Sequence, residues 1–233
     1  MRILIGVDDT DNETSIGTGR FARDLSEALV KAGLGTAHGV TRHQLLVDSR
    51  IPYTSHNSAA AILFETSDVD AAARCCRGFY ADNFHSGSDP GLCIAEDACS
   101  CLTEFGRAAQ REILTKSQAF DLAYASGCIL EEHGGTGDGI IGALAAVGLR
   151  ACRDDGRYLD YGGCRDIQGT LTVSELLSRS GADGVCCGDG ILTEENALVD
   201  TQDWVRPELV SGRAVIMVER RDDRWITLRK HKH

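Results

Sequence analysis

Asp8, Asp9 and Asp11 stand directly behind an apolar run, Ile3, Leu4, Ile5 and Val7, at the start of a 233-residue chain. Three carboxylates held that close repel one another, and a cation such as Mg²⁺ relieves the repulsion by taking one or two of them together with water and phosphate oxygens. Ser15, Gly17, Thr18 and Gly19 follow, small residues that let a ligand approach the backbone, with Thr18 adding a hydroxyl. A bound Mg²⁺ with phosphate oxygens is one reading of this cluster, with Asp8, Asp9 and Asp11 as candidate metal and catalytic residues and Gly17 and Gly19 as candidate phosphate contacts. The same residue types also build a turn and a helix N-cap, and that reading stands beside the first. The Asp-x-Asp spacing of Asp9 and Asp11 further admits a phosphoaspartate enzyme, with a nucleophile and an acid/base. An EF-hand is excluded: counting from Asp9, the sixth position is Thr14 instead of glycine and the twelfth is Arg20 instead of glutamate.

Two further stretches carry groups suited to binding. Gly134-Gly135-Thr136-Gly137-Asp138-Gly139 runs straight into an apolar helical pattern. Glycines there expose the unpaired N–H groups of a helix start, which with the helix dipole attract anions, so Gly135, Gly137 and Gly139 are candidate phosphate contacts. No Gly-Lys-Ser/Thr ending is present, so this is not a P-loop, and a plain loop before a core helix is the other reading. The loop from Ile51 to Ala59 offers Thr54, His56 and Asn57 for contact with a substrate, or serves as an exposed connection. Arg20 and Arg165 are candidate phosphate contacts or ordinary surface arginines. His85, Cys93, Cys99 and Cys101 contain no CxxC pair, which argues against zinc.

The elements that must position these groups follow from periodicity. A strand over Ile3–Val7 leads to a helix from Phe21 that ends at Gly33, then strands over Val40–Val47 and Ala59–Phe64, a helix over Val69–Tyr80 and a strand over Leu92–Ala95. This β-α-β-β-α-β order is ferredoxin-like and predicts an α+β fold. Helical spacing returns over Leu102–Ala125, with a strand at Cys128–Leu130 and a helix at Ile140–Leu149. Beyond Cys152 the sequence predicts a strand at Tyr158–Tyr161, a helix over Val173–Ser178 with Thr172 and Glu175 as a capping box, and a closing hairpin, Val215–Glu219 with Arg224–Leu228. A division into residues 1–100 and 101–233 is expected, with the boundary set by no linker signal.

Apolar residues at 42% and charged ones at 25% describe an ordinary globular chain. Thirty-five acidic against 24 basic side chains give a formal charge of −11, which disfavours broad adhesion to nucleic acid. No apolar run reaches membrane-spanning length, so a cytoplasmic protein with no membrane partner is expected. Of the ten cysteines, Cys75 with Cys76 and Cys186 with Cys187 are vicinal pairs unsuited to ordinary disulfides, and most of the ten are expected to be reduced, buried thiols.

Taken together, Gly6-Val7-Asp8-Asp9-Thr10-Asp11 with Gly17-Thr18, then Ile51 to Thr54 with Asn57-Ser58-Ala59, then Gly139 to Ala146, resemble in order and rough spacing the motifs of the tRNA 2-agmatinylcytidine synthetase family. The resemblance implies ATP and Mg²⁺ as cofactors, activation of a cytidine oxygen, and a kinase-like portion paired with a ferredoxin-like one. It also implies that Asp8, Asp9 and Asp11 hold metal and triphosphate, and that Thr18, at the family's autophosphorylated threonine, lies near the γ-phosphate. The family continues into an OB-fold and a zinc ribbon, for which this sequence has no CxxC pairs, so a catalytic half alone is expected. It departs from the family at Gly17, where the family has cysteine, at Gly19, commonly threonine, and at His56 and Ser58, both glycines there. The expected function is ATP-dependent phosphoryl or adenylyl transfer to an oxygen of a nucleoside-like or small-molecule acceptor. The alternatives are a tRNA cytidine-modifying enzyme working with a separate RNA-binding partner, and a nucleotide-binding regulatory module without turnover.

Overall fold

The apolar run forms β1 (Arg2–Asp8), buried along its length because helices cover both faces of its sheet. The computed structural model describes residues 1–12, 15–51, 57–96, 100–188, 190–191, 194–222 and 224–228. After β1 come α1 (Thr18–Lys31), β2 (Gly35–Gln44), β3 (Ser58–Thr66), α2 (Val69–Asp82) and β4 (Gly91–Ala95), the expected ferredoxin-like order. The strands pair antiparallel as β4-β1-β3-β2, and β5 (Ile129–Glu132) extends the sheet beyond β4. Among the described residues no helix is long and apolar enough to cross a membrane.

α1 and α2 meet on one face of the sheet, where Phe21 packs edge-on against Phe79 and Tyr80 at ring separations of 5.1 and 4.9 Å. The other face carries α3 (Ser100–Ala109) and α5 (Gly139–Ala151), with α4 (Lys116–Ser126) beside α5. Helical spacing over Leu102–Ala125 hid a break. Thr115 and Gln118 form a capping box that starts a new helix, so Gln110–Leu114 is a turn and not a helical stretch. α5 is apolar all round and almost wholly buried, and its backbone lies directly on the sheet. A Cβ added at Gly6 would meet the backbone of Ala143, and one at Gly91 would meet Gly139. Glycine is required at those two positions by close approach alone.

The chain divides into Met1–Cys152 and Arg153–His233, so the units part well beyond the boundary expected at 100. The reason is that α3, α5 and β5, which lie after residue 100, share the core of Leu4, Ala61 and Cys93 on the first sheet. The second unit contains β6 (Arg157–Asp160), β7 (Thr170–Thr172), α6 (Val173–Ser180), β8 (Gly184–Cys187), β9 (Gly190–Ile191), β10 (Leu198–Asp200), β11 (Glu208–Val210), β12 (Arg213–Arg221) and β13 (Arg224–Thr227). Its strands run β6-β11-β12-β13-β10-β7, with β8 parallel to β12, around a core that includes Leu176, Val185, Val199 and Ile216. The expected capping box at Thr172 and Glu175 and the hairpin of β12 with β13 are both present.

Candidate functional site

β1 delivers Asp8 to the end of the sheet, and Asp9 follows in the left-handed region at φ 51°. This conformation is uncommon for a residue with a side chain, and aspartate is among the types that tolerate it. It turns the chain away from the strand so that Asp8, Asp9 and Asp11 all line one cleft of about 400 Å³. Thr18, at the start of α1, lines the same cleft. So do Asp138, Gly139, Ile141 and Gly142 from the beginning of α5, and Asn57 and Ser58 from the beginning of β3. Residues more than a hundred positions apart in sequence thus face one space, all within the first unit.

Thr18 is held tightly. Its hydroxyl donates to Asp11 Oδ1 at 2.6 Å and accepts from the Thr10 backbone N–H and hydroxyl, each at 3.3 Å. The Thr18 backbone N–H also donates to Asp11 Oδ1, at 3.2 Å. Gly17 at the N-cap has no side chain to supply this bond, so Asp11 caps α1 from outside it. A hydroxyl hydrogen-bonded to a carboxylate is the pairing in which the carboxylate takes the proton as the oxygen attacks.

Asp8 and Asp9 are electrostatically strained. Burial pushes the Asp8 carboxyl up to about 8, with the charges of Asp9 and then Asp11 adding to the shift. Asp9 rises to about 6, again chiefly through burial, then through Asp89, Asp11 and Asp138. Among the described residues no three Asp, Glu, His or Cys side chains are gathered closely enough to form a metal site unaided. The donor set nonetheless fits Mg²⁺, which takes one or two carboxylates and fills its remaining positions with water and phosphate oxygens. Asp8 and Asp9 are the pair suited to it, since one oxygen of Asp11 is engaged by Thr18.

The second glycine stretch reaches the cleft only at its end. Gly139 lines it, while Gly135 and Gly137 sit in the preceding turn at φ 58° and 77° and do not. Asp89 holds that turn by accepting from the Thr136 N–H. Gly17 and Gly19, at the start of α1, are likewise not part of the cleft lining. Thr54 and His56 lie outside the described residues. Asn57 is present, with its Nδ2 donating to the Leu46 carbonyl at 2.7 Å. Arg20 pairs with Asp24, and Arg165 lies 4.4 Å over the Trp204 ring, in the second unit. Among the described residues, Cys75, Cys76, Cys93, Cys128, Cys152, Cys164, Cys186 and Cys187 are free thiols.

Several site residues escaped the sequence reading. Asp89 and Asp138 bear on Asp9 only through the tertiary fold. Glu112, Ile113 and Leu114 line the cleft from the turn between α3 and α4, and Arg50 does so from the loop after β2, with its guanidinium held by Asp48 at 2.8 Å. Lys116, the first residue of α4, lines it too. Its Nζ donates to the Thr136 carbonyl at 2.5 Å and to Glu132 Oε1 at 3.2 Å. A lysine directly after a capping threonine was a legible signal, because helix starts disfavour cations.

An α+β unit in which a ferredoxin-like sheet ends in paired aspartates beneath a glycine-led helix is the class this fold and cleft define. The chain is similar to TiaS, the agmatidine synthetase of an isoleucine tRNA. Its apo structure shares 26% identity at a TM-score of 0.56, covering 64% of this chain and 35% of that one. The complex of TiaS with that tRNA and ATP shares 29% identity at a TM-score of 0.57, and a tRNA fluorescent labeling enzyme 28% at 0.57, each covering 64% of this chain and 36% of the other. The chain therefore spans about a third of the length of these proteins. No protein-family model and no curated protein matches it.

Proposed function

We propose that this chain is an ATP- and Mg²⁺-dependent enzyme that activates an oxygen of a nucleoside-like acceptor, with tRNA as its carrier, by phosphoryl or adenylyl transfer. The observation that carries the reading is the convergence of Asp8, Asp9, Thr18 and the N-terminus of α5 on one cleft. The similarity to structures of TiaS, one of them solved with tRNA and ATP, supports the same reading.

Phosphoryl transfer asks a protein mainly for positioning and charge neutralisation. Asp8 and Asp9 would hold Mg²⁺, which when bound neutralises phosphate charge and orients its oxygens. The start of α5 would bring the positive end of its helix dipole toward phosphate oxygens, and the Asp138–Gly139 corner lets a ligand approach it closely. Asp11 keeps the Thr18 hydroxyl in place and receives its proton if Thr18 is itself phosphorylated. Asn57 and Ser58, with the apolar surfaces of Leu45, Ile51, Ile113 and Leu114, form the wall that receives the acceptor. The net charge of −11 places RNA contact on a local surface or on a separate RNA-binding partner.

The test is incubation of the purified chain with Mg²⁺ and γ-labelled ATP, comparing wild type, Asp9→Asn and Thr18→Ala. Wild type is expected to hydrolyse ATP and carry label, Thr18→Ala to lose the label, and Asp9→Asn to lose roughly 100-fold or more in turnover. A wild type that binds ATP yet yields neither label nor product would replace the enzyme reading with that of a nucleotide-binding module.

A further inference from the structure

We propose that Lys116 is a phosphate-contacting residue of this cleft, moving from the glycine turn onto an oxygen of a bound polyphosphate. The inference rests on the nucleotide reading above and adds to it a cation at the acidic end of the cleft.

The charged residues lining the cleft are Asp8, Asp9, Asp11, Glu112 and Asp138 against Arg50 and Lys116. Arg50 stands on the loop after β2 and makes two side-chain hydrogen bonds to Asp48. A triphosphate carries more negative charge than one divalent cation offsets, and the carboxylates that hold that cation add their own. Lys116 supplies the remaining positive charge. It stands 3.9 Å from Asp138, one of the charges felt by Asp9, and so belongs to the end of the cleft where the aspartates lie.

Its placement runs against local preference. The Thr115–Gln118 capping box fixes Lys116 at the first position of α4, where the helix dipole is positive, and no acidic residue occupies that first turn. A cation there is disfavoured by the dipole. Residues that contradict their local context tend to be functional. Its ion pairs are easily given up: the side chains of Lys116, Glu132 and Asp138 are 36%, 40% and 56% exposed, and ion pairs of that exposure contribute little. A polyphosphate oxygen in the cleft offers a charge-assisted bond in a drier setting. The Thr136 carbonyl that Lys116 now holds belongs to the turn leading into α5, so transfer of the ammonium also frees that turn to settle around the ligand.

The experiment is calorimetric titration of the full chain with inorganic tripolyphosphate and with ATP, both in Mg²⁺, using wild type, Lys116→Met, Lys116→Arg and Glu132→Gln. Lys116→Met should weaken both ligands roughly 10- to 100-fold, and Lys116→Arg should retain most of the affinity. Glu132→Gln releases the lysine and should leave binding unchanged or tighter. If Lys116 only clamps the turn through the Thr136 carbonyl, the loss in Lys116→Met will be the same at low and at high salt instead of shrinking as salt is raised, and the proposal is overturned. Unaltered tripolyphosphate binding by Lys116→Met overturns it while leaving the nucleotide reading intact. A wild type that binds neither ligand overturns both.

Discussion

Asp8 and Asp9 hold their protons far above the ordinary carboxylate range, at about 8 and about 6, so the folded chain without a cation binds more protons than the unfolded chain between those values and about pH 4. The unfolded state therefore gains relative stability as pH rises, and the metal-free protein should melt at a lower temperature at about pH 8 than at about pH 6. Asp8→Asn should flatten that trend and stabilise the metal-free protein at about pH 8 by roughly 1–3 kcal/mol. A divalent cation displaces the same protons. Mn²⁺ affinity should rise by up to about tenfold per pH unit between about 6 and 8, and a pH-independent affinity would show that these carboxylates do not bind it. The acidic triplet, Thr18 and Asn57 were legible in the sequence because they are contiguous with strong strand and helix signals. Asp89 was not, because its importance comes from partners across the sheet, and Lys116 carried only the signal of a cation at a helix start.

At the level of elements, the βαββαβ order was readable because β1 and β3 are long apolar runs and α1 and α2 have clean one-sided patterns. The break between α3 and α4 was hidden, since both helices present apolar residues to the same neighbours and only the capping box separates them. Four strands of the second unit, β7, β9, β10 and β11, have two or three residues each, too short for an alternating pattern to register. The expected strand over Val40–Val47 begins earlier and ends at Gln44, after an irregularity in its pairing between Ala37 and Val40, which leaves Leu45–Ile51 free to border the cleft. The closeness of α5 to β1 gives a direct test. A Cβ at Gly142 would strike the Asp8 carboxylate, whereas one at Gly17 would enter open space. Gly142→Ala should cost about 1–3 kcal/mol in urea unfolding and abolish cation binding, and Gly17→Ala should stay within about 0.5 kcal/mol. Equal effects would mean that the helix can lift from the strand without penalty.

For the whole molecule, each unit has an apolar core of its own: Leu4, Leu102, Leu144 and their neighbours in the first, and Leu176, Val185, Val199 and their neighbours in the second. A chain ending at Cys152 should therefore unfold cooperatively and bind ATP as the full chain does, which circular dichroism melting and titration can check. Non-cooperative melting would show that the second unit is needed to complete the first. The seam of Gly6, Gly91, Gly139 and Gly142 has a broader consequence. It makes that side of the cleft an anvil, with backbone set on backbone at Gly6, Gly91 and Gly139 and the α5 backbone set on the Asp8 carboxylate at Gly142. The opposite side is built from the loop after β2 and the turn before α4, joined by single bonds such as Leu46 N–H to the Ala109 carbonyl. Variation on that side would leave the other undisturbed, so on the proposed function the fold would separate the choice of acceptor from the chemistry done to it.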